Sequence, residues 1–198
     1  MRADGRFEDI AATLRVVVAA LDAAEVPYLL GGSMACWVHG SPPPTKDLDL
    51  ALQPEDADRA LAALEQAGLR PERPPEGWLV KAWHGDVCVD LIHEPLGIVI
   101  DRERIEAAPV RGVLGLRLPV MALEDVFTSK LLALDEHHLD FEYLLAITRP
   151  IREQVDWDEV RRRTEASPYA AAFLVLLERL DLLPGTDGDA ESATPTGR

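Results

Sequence analysis

Residues 47–52 read Asp-Leu-Asp-Leu-Ala-Leu, and a Gly-Gly-Ser turn precedes them at residues 31–33. The leucines alternate with the two aspartates, which is the period-two pattern of a strand with one face in the core. Asp47 and Asp49 therefore point to the same side of that strand. A small Gly-Ser turn at the start of a helix favours an anion such as phosphate, because free N–H groups and the helix dipole meet there. The pattern thus predicts a pair of metal-ligating carboxylates and a phosphate site within one α/β unit.

A third carboxylate, Asp90, lies in the strand-like segment Val87–Ile92. We expect this segment to form a hairpin with residues 78–83 that turns at His84-Gly85-Asp86. A neighbouring strand of the same sheet would then bring Asp90 to the aspartate pair.

Carboxylates are the hard oxygen ligands that Mg²⁺ prefers, and Mn²⁺ is a close substitute. Two such ions about 3.5–4 Å apart clamp the attacking and leaving oxygens of an in-line displacement. Ordinary surface aspartates are the alternative interpretation, which is disfavoured because strands are depleted in Asp. The predicted catalytic residues and metal ligands are Asp47, Asp49 and Asp90. With a phosphate-binding turn beside them, these groups suffice to move a nucleotidyl group from a nucleoside triphosphate.

The order of the patterns predicts an α/β core followed by a helical lobe. Helical and strand periodicity alternate up to about residue 120, and helical periodicity alone follows. The expected helices span residues 7–25, 33–39, 54–68, 101–107, 122–134, 136–148, 156–166 and 168–182, and the expected strands 28–30, 47–52, 78–83, 87–92 and 116–120. We divide the chain into a core (1–120), a helical lobe (121–183) and a tail (184–198) whose composition is typical of disorder.

The composition is strongly acidic, which restricts the partners. Lys and Arg total 20 against 35 Asp and Glu, giving a net charge of -15. Such a surface opposes non-specific nucleic-acid binding, in which neutralising phosphates dominates affinity. A local basic cluster consists of Arg149, Arg152 and Arg161-Arg162-Arg163. Acids are interleaved with it, which is more typical of a solvated helix face than of a polyanion site.

Apolar runs shorter than a membrane span favour a cytoplasmic protein with no membrane partner. Cys36 and Cys88 are expected to be free thiols.

Several segments together carry a resemblance to a known family. They are Gly31-Gly32-Ser33, His39-Gly40, Thr45-Lys46-Asp47-Leu48-Asp49-Leu50, Val89-Asp90-Leu91, and Leu123-Glu124-Asp125 through Lys130-Leu131-Leu132-Ala133. They resemble the active-site core of the DNA polymerase β nucleotidyltransferase superfamily, over about residues 27–145. Within it, the similarity is to small stand-alone bacterial nucleotidyltransferases, including the catalytic components of abortive-infection toxin systems.

The resemblance implies a fold, a cofactor and site residues. The fold is a polymerase-β-like α/β (α+β) core with a mixed sheet, followed by a C-terminal helical lobe. The cofactor is Mg²⁺ or Mn²⁺ and the substrate an NTP, with Asp90 on the catalytic metal and taking the acceptor proton. The implied nucleotide-binding residues are Gly31, Gly32, Ser33, Thr45, Lys46 and Lys130. For Lys46 and Lys130, simple surface solvation remains the alternative.

Two positions depart from the family pattern. The loop before the aspartate strand reads Ser41-Pro42-Pro43-Pro44 where many relatives carry an arginine, and Tyr143 stands where the toxin group has a second acid three residues after Asp140. The expected function is that of a Mg²⁺-dependent nucleotidyltransferase. Because of these departures, a catalytically weak nucleotide- or partner-binding protein is the alternative. The acceptor is open between a small cationic molecule, tRNA and a protein, and a cognate antitoxin or toxin is a candidate partner.

Overall fold

The computed structural model describes residues 3–44 and 46–183. Its helices are α1 (Ala3–Ala23), α2 (Gly32–Val38), α3 (Ala57–Gln66), α4 (Arg102–Ala107), α5 (Leu123–Leu132), α6 (Phe141–Thr148), α7 (Trp157–Arg163) and α8 (Pro168–Arg179). Its strands are β1 (Leu29–Leu30), β2 (Asp47–Ala51), β3 (Arg70–Glu72), β4 (Leu79–His84), β5 (Val87–Ile92), β6 (Val110–Val113) and β7 (Leu116–Pro119). The predicted nucleotide contact of Thr45 and the predicted disordered tail at 184–198 lie outside the described residues.

Five strands form one mixed sheet in the order β1-β2-β5-β4-β3. The central pair, β2 and β5, is parallel, while the other neighbours are antiparallel. Parallel pairing requires a long crossover, which here contains α3, β3 and β4. The expected mixed α/β sheet followed by a helical C-terminal region is therefore confirmed. Strands β6 and β7 form a separate hairpin, which joins the main sheet through the Leu30–Val120 bridge.

One face of the sheet is buried against α1 and α3. The apolar side chains that recur at helical spacing along α1 are buried, and so are the alternate leucines of β2; those of α1 are Ile10, Leu14, Val17, Val18 and Leu21. On β5 the same alternation buries Val87, Val89 and Leu91 while leaving Cys88 and Asp90 on the other face. The period-two pattern therefore decides which side chains pack in the core and which line the opposite face. Among the described helices, none is long and apolar enough to cross a membrane.

The prediction of a helix over residues 136–148 is wrong at its start, because α6 begins at Phe141. The Asp135 carboxylate accepts the backbone N–H groups of His137 and His138, at 2.8 and 3.0 Å, and this closes a turn instead. Asp140 then caps the helix by accepting from the backbone N–H of Tyr143 at 3.1 Å. Local side-chain hydrogen bonds thus outcompete the helical pattern.

The sequence patterns did not predict strands β3 and β6. Each is short, and β3 contains Pro71 while β6 contains Gly112, two residue types depleted from strands. Both form because a neighbouring strand provides a pairing edge, which no local pattern reports.

The C-terminal helices pack onto the sheet domain through α5. Phe127 on α5 is fully buried and meets the Trp157 ring of α7 at 4.9 Å between centroids. Helix α5 also contacts α2, the helix that follows the Gly-Gly-Ser turn. The proposed boundary at residue 120 stays a prediction, but α5, which follows it, contacts α2, and α2 contacts the aspartate strand β2.

Asp125 forms a buried ion-pair cluster on the inner side of α5. Its side chain is only 5% exposed and accepts from Arg104 at 2.6 Å and from Arg163 at 2.8 Å. The two arginines come from α4 and α7, so one carboxylate joins three helices. The neighbouring Arg161 and Arg162 pair with Glu178 and Glu159. This pairing favours the solvated-face interpretation of the basic cluster over a polyanion site.

Replacing this carboxylate should destabilise the fold. Asp125→Ala leaves two guanidinium groups without their acceptor, and we expect the free energy of unfolding to fall by about 3 kcal/mol, the lower end of the range for a broken buried pair because Arg104 can turn to solvent. Urea denaturation measures the loss. The control is Glu153→Ala, whose exposed pair with Arg152 should cost less than about 1 kcal/mol. Equal losses in both variants would contradict a role for Asp125 in joining the helices.

Candidate active site

The register between β2 and β5 brings the three predicted carboxylates together. Asp49 lies directly opposite Asp90, and Asp47 lies opposite Cys88 on the same face. One carboxylate oxygen from each of Asp47, Asp49 and Asp90 lies within 4.8 Å of the other two, and all three side chains are half-buried. The structure therefore brings the three predicted residues together, and their function in metal binding and catalysis stays a prediction.

The donor set suits a hard divalent cation. Three carboxylates converge from two adjacent strands, and oxygen ligands of this kind fit Mg²⁺ or Mn²⁺. Their spacing is also unfavourable without a cation, because like charges held close together repel. The residues present thus fit the group that the family resemblance implies.

The surroundings of Asp49 disfavour its charged form. Burial raises the pKa of its carboxyl group to about 6, and the charges of Asp47 and Asp90 act in the same direction. Lys130 and a hydrogen bond from the Ser33 backbone N–H oppose the rise in pKa. Ionised Asp49 is therefore electrostatically unfavourable in these surroundings, and a bound cation would relieve that cost.

The Gly-Gly-Ser turn is built around Asp49. The Gly31 backbone N–H donates to the Asp49 carbonyl at 2.9 Å, and Ser33 donates to the Asp49 carboxylate. Gly32 adopts a φ of +54°, and a Cβ at this position would lie 1.6 Å from Asp49 Oδ2. Glycine is required there by both the backbone conformation and the close approach. A predicted contact of these three residues with phosphate remains a prediction, and their observed function is to hold Asp49.

A cavity of about 360 Å³ opens beside the carboxylates. It is lined by Ser33, the loop 42–44, Lys46, Asp47, Asp49, Lys130, Asp140, Tyr143, Ala146 and Ile147. Lys46 is exposed at its edge, whereas Lys130 reaches it from α5 as a half-buried side chain. The cavity therefore has two carboxylates on one wall and ammonium groups from two separate elements.

Lys130 is held as a cation in this cavity. Burial lowers its pKa, but the Tyr143 hydroxyl and the charge of Asp49 outweigh burial, so the pKa is raised overall. Its Nζ also lies 5.1 Å from the Tyr143 ring centroid. Tyr143 thus contacts the Lys130 ammonium group within the cavity that Asp47 and Asp49 border. The interpretation of Lys130 as an exposed surface lysine does not fit this position.

Lys81 on β4 is a site residue that the sequence reasoning missed. Its Nζ donates to Asp90 Oδ1 at 2.7 Å, and the Cys88 thiol donates to the same oxygen at 3.2 Å. The expected three-residue turn at 84–86 would have placed Val80 opposite Asp90. The observed turn contains two residues, Gly85 and Asp86, and it pairs Lys81 with Asp90 instead. A prediction of a two-residue turn would have identified Lys81 as the partner of Asp90.

Comparisons with known proteins identify the family of the chain. Residues 10–181 match the model of a family described as "Nucleotidyl transferase of unknown function (DUF2204)". The chain belongs to this nucleotidyl transferase family. A sequence search among curated proteins gave no significant match.

Two solved structures of ANT(2")-Ia share the fold. The crystal structure in complex with adenylyl-2"-tobramycin aligns with a TM-score of 0.58 at 17% identity, covering 84% of this chain and 97% of that one. The solution structure aligns with a TM-score of 0.56 at 16% identity, covering 86% and 96%. At these identities the similarity establishes the fold, a nucleotidyltransferase core with a helical C-terminal region.

The turn around Asp49 gives a matched pair of glycine variants. Gly32→Ala should lower the melting temperature by at least about 2–4 °C, since a left-handed alanine alone costs roughly 1–2 kcal/mol and the clash with Asp49 adds to it. Gly31→Ala should be tolerated, because its backbone is extended and the nearest atom to a new Cβ is 3.7 Å away. Thermal unfolding of the two proteins is the measurement. Equal stability would contradict the close approach of Gly32 and Asp49.

The strain at Asp49 predicts a pH dependence in the metal-free protein. Because its pKa is higher in the folded state than the ordinary value of 3.8, the folded state binds the proton more tightly. Stability should therefore fall as the pH rises from about 4 through about 6, and the whole cost should be present at neutral pH. Asp49→Asn removes this cost, so it should raise the melting temperature at pH 7.5 in EDTA but not at pH 4. A variant less stable than the wild type at pH 7.5 would contradict an energetic cost of ionising Asp49 in the folded protein.

Proposed function

We propose that the protein transfers a nucleoside monophosphate from an NTP to an acceptor hydroxyl, releasing pyrophosphate, with Mg²⁺ or Mn²⁺ as cofactor. The observation that carries the proposal is the convergence of three carboxylates beside a cavity that also contains two lysines. Membership of a nucleotidyl transferase family supports it. Catalysis of this kind consists mainly of positioning and charge neutralisation, which such an arrangement provides.

Each carboxylate has a proposed role set by its position. Asp47 and Asp49 border the cavity and would hold a cation against the triphosphate, whereas Asp90 lies on the next strand away from the cavity. A metal ion bound by Asp47 and Asp49 would neutralise developing charge on the phosphate oxygens. In-line displacement places the attacking and leaving oxygens on opposite sides of phosphorus. Asp90 is therefore the carboxylate proposed to face the acceptor and take its proton.

The cavity divides into a charged and an apolar part. Lys46 and Lys130 are proposed to contact the triphosphate, in place of the arginine that the loop lacks. The loop 42–44 consists of prolines, which have no N–H groups to offer to phosphate but present apolar ring surface. We propose that the ribose and base contact these rings.

The acceptor we favour is a small cationic molecule of the amino-sugar type. A net charge of -15 attracts cations and repels polyanions. The pairing of the Arg161–Arg163 cluster with acids removes cations that an RNA would need. The similar ANT(2")-Ia was solved with adenylyl-2"-tobramycin, which makes amino sugars the first acceptors to test.

The proposed function predicts nucleotide binding. Each NTP is added with Mg²⁺ to the full chain, and the melting temperature is measured. A ligand at 100 times its Kd adds about 2.7 kcal/mol of stability, so a bound NTP should give a clear rise. The rise should require Mg²⁺ and disappear in the Asp47→Asn, Asp49→Asn double variant. Absence of a rise with every NTP would contradict the proposed site and favour a partner-binding protein.

The proposed function also predicts turnover that depends on the carboxylates. With the NTP so identified, pyrophosphate release is followed with amino sugars, tRNA and protein as acceptors. The Asp47→Asn, Asp49→Asn variant should be slower by roughly two or more orders of magnitude, as when a preorganised electrostatic group is lost. Asp58→Asn, which removes an 81% exposed carboxylate outside the site, should keep wild-type turnover. Undiminished release by the double variant would rule out the assignment.

A further inference from the structure

The open face of the sheet carries two rows of side chains that begin at the carboxylates. The register of β2, β5, β4 and β3 places one residue of each strand side by side. One row consists of Asp47, Cys88, Trp83 and Arg70, and the other of Asp49, Asp90, Lys81 and Glu72. Lys81 is thus the next side chain after Asp90 on the side opposite the nucleotide cavity.

Lys81 differs from Lys130 in how it meets the cluster. Lys130 contributes charge near Asp49, whereas Lys81 donates directly to a carboxylate oxygen of Asp90 at 2.7 Å. Its side chain is 26% exposed and that of Asp90 is 15% exposed, so water screens the pair only in part. The Cys88 thiol donates to the same oxygen. Asp90 Oδ1 is therefore occupied by donors from the chain itself.

We propose that Lys81 is a built-in counter-ion that competes with a divalent cation for Asp90. The inference rests on the proposed metal site. A cation reaching Asp90 must either bind beside the ammonium group or displace it, and each case lowers the affinity at that carboxylate. Asp47 and Asp49 carry no such direct lysine bond among the described contacts, so a first cation binds there. The nucleotide-free protein should then hold one tightly bound cation rather than two.

The chemistry of lysine suits this function. Its ammonium group is a compact charge on a flexible four-carbon stem, so it can leave Asp90 by rotation of its own side chain. With a triphosphate in the cavity, added negative charge strengthens the attraction of the cluster for a second cation. Lys81 would thus keep Asp90 neutralised until the nucleotide is bound. It is a positioning residue in this proposal, since it acts through Asp90.

The test is a titration of the nucleotide-free, full-length protein with Mn²⁺, following free Mn²⁺ by electron paramagnetic resonance. Wild type should bind one tight ion. Lys81→Met should bind a second ion with an affinity raised on the order of tenfold, as expected when a neighbouring like charge is removed from a partly buried site. In EDTA the variant should be less stable than wild type, and saturating Mn²⁺ should give it the larger rise in melting temperature.

Three further variants separate this effect from a structural one. Lys81→Arg keeps the charge and should bind Mn²⁺ like wild type. Arg70→Met removes one charge from the same face through a side chain that is 68% exposed, and should leave the titration unchanged. In an Asp90→Asn background, Lys81→Met should have no effect on Mn²⁺ binding. An effect of Lys81→Met in that background would contradict action of the lysine through Asp90.

The outcomes distinguish this inference from the proposed function. Wild-type binding of Mn²⁺ with unchanged or weaker binding by folded Lys81→Met would overturn the counter-ion and leave the metal site intact. Two tight ions in the nucleotide-free wild type would overturn it as well. No Mn²⁺ binding by either protein would overturn the metal site and the inference together.

Discussion

The parallel pairing of β2 with β5 is the constraint on which the site depends. Two carboxylates on one strand share a face by periodicity alone, but the third arrives only because Asp90 pairs with Asp49 in register. A shift of one residue would turn Asp90 into the core and bring Val89 or Leu91 to the open face. The buried leucines and valines on the other face prevent such a shift. Core packing against α1 and α3 thus fixes the geometry of the charged cluster.

The cluster carries an electrostatic cost, and the fold supplies partial compensation from several directions. Ser33 donates a backbone N–H to Asp49, Lys130 contributes charge from α5, and Lys81 binds Asp90 from β4. Each relieves one part of the repulsion and none removes it. A site that retains repulsion between carboxylates is less stable when empty and gains more on binding a cation. A cation bound at the proposed site would relieve this repulsion, and this relief would raise its affinity.

The sequence predicts much of this arrangement, and the parts it misses have identifiable causes. Strong periodicity in residues 47–52 and 87–92 gave the two central strands and the faces of their side chains. Lys81 was missed because its position depends on turn length, where one residue changes every cross-strand partner. Edge strands such as β3 formed against local propensity because a neighbour offered hydrogen bonds. The close fit of Gly32 against Asp49 is a tertiary contact, which a Gly-Gly-Ser pattern suggests only as a turn.

Lys81 and Lys130, the two lysines whose side chains approach the carboxylates from outside β2, come from different parts of the chain. Lys81 belongs to the sheet, while Lys130 lies on α5, after the boundary expected at residue 120. Helix α5 is in turn held by the Asp125 cluster and by Phe127 against Trp157. The cavity wall beyond Lys130 is completed by Tyr143 from α6. The helical region is therefore a structural part of the candidate site, and a shift of α5 against the sheet would change the charge around Asp49 without altering any carboxylate.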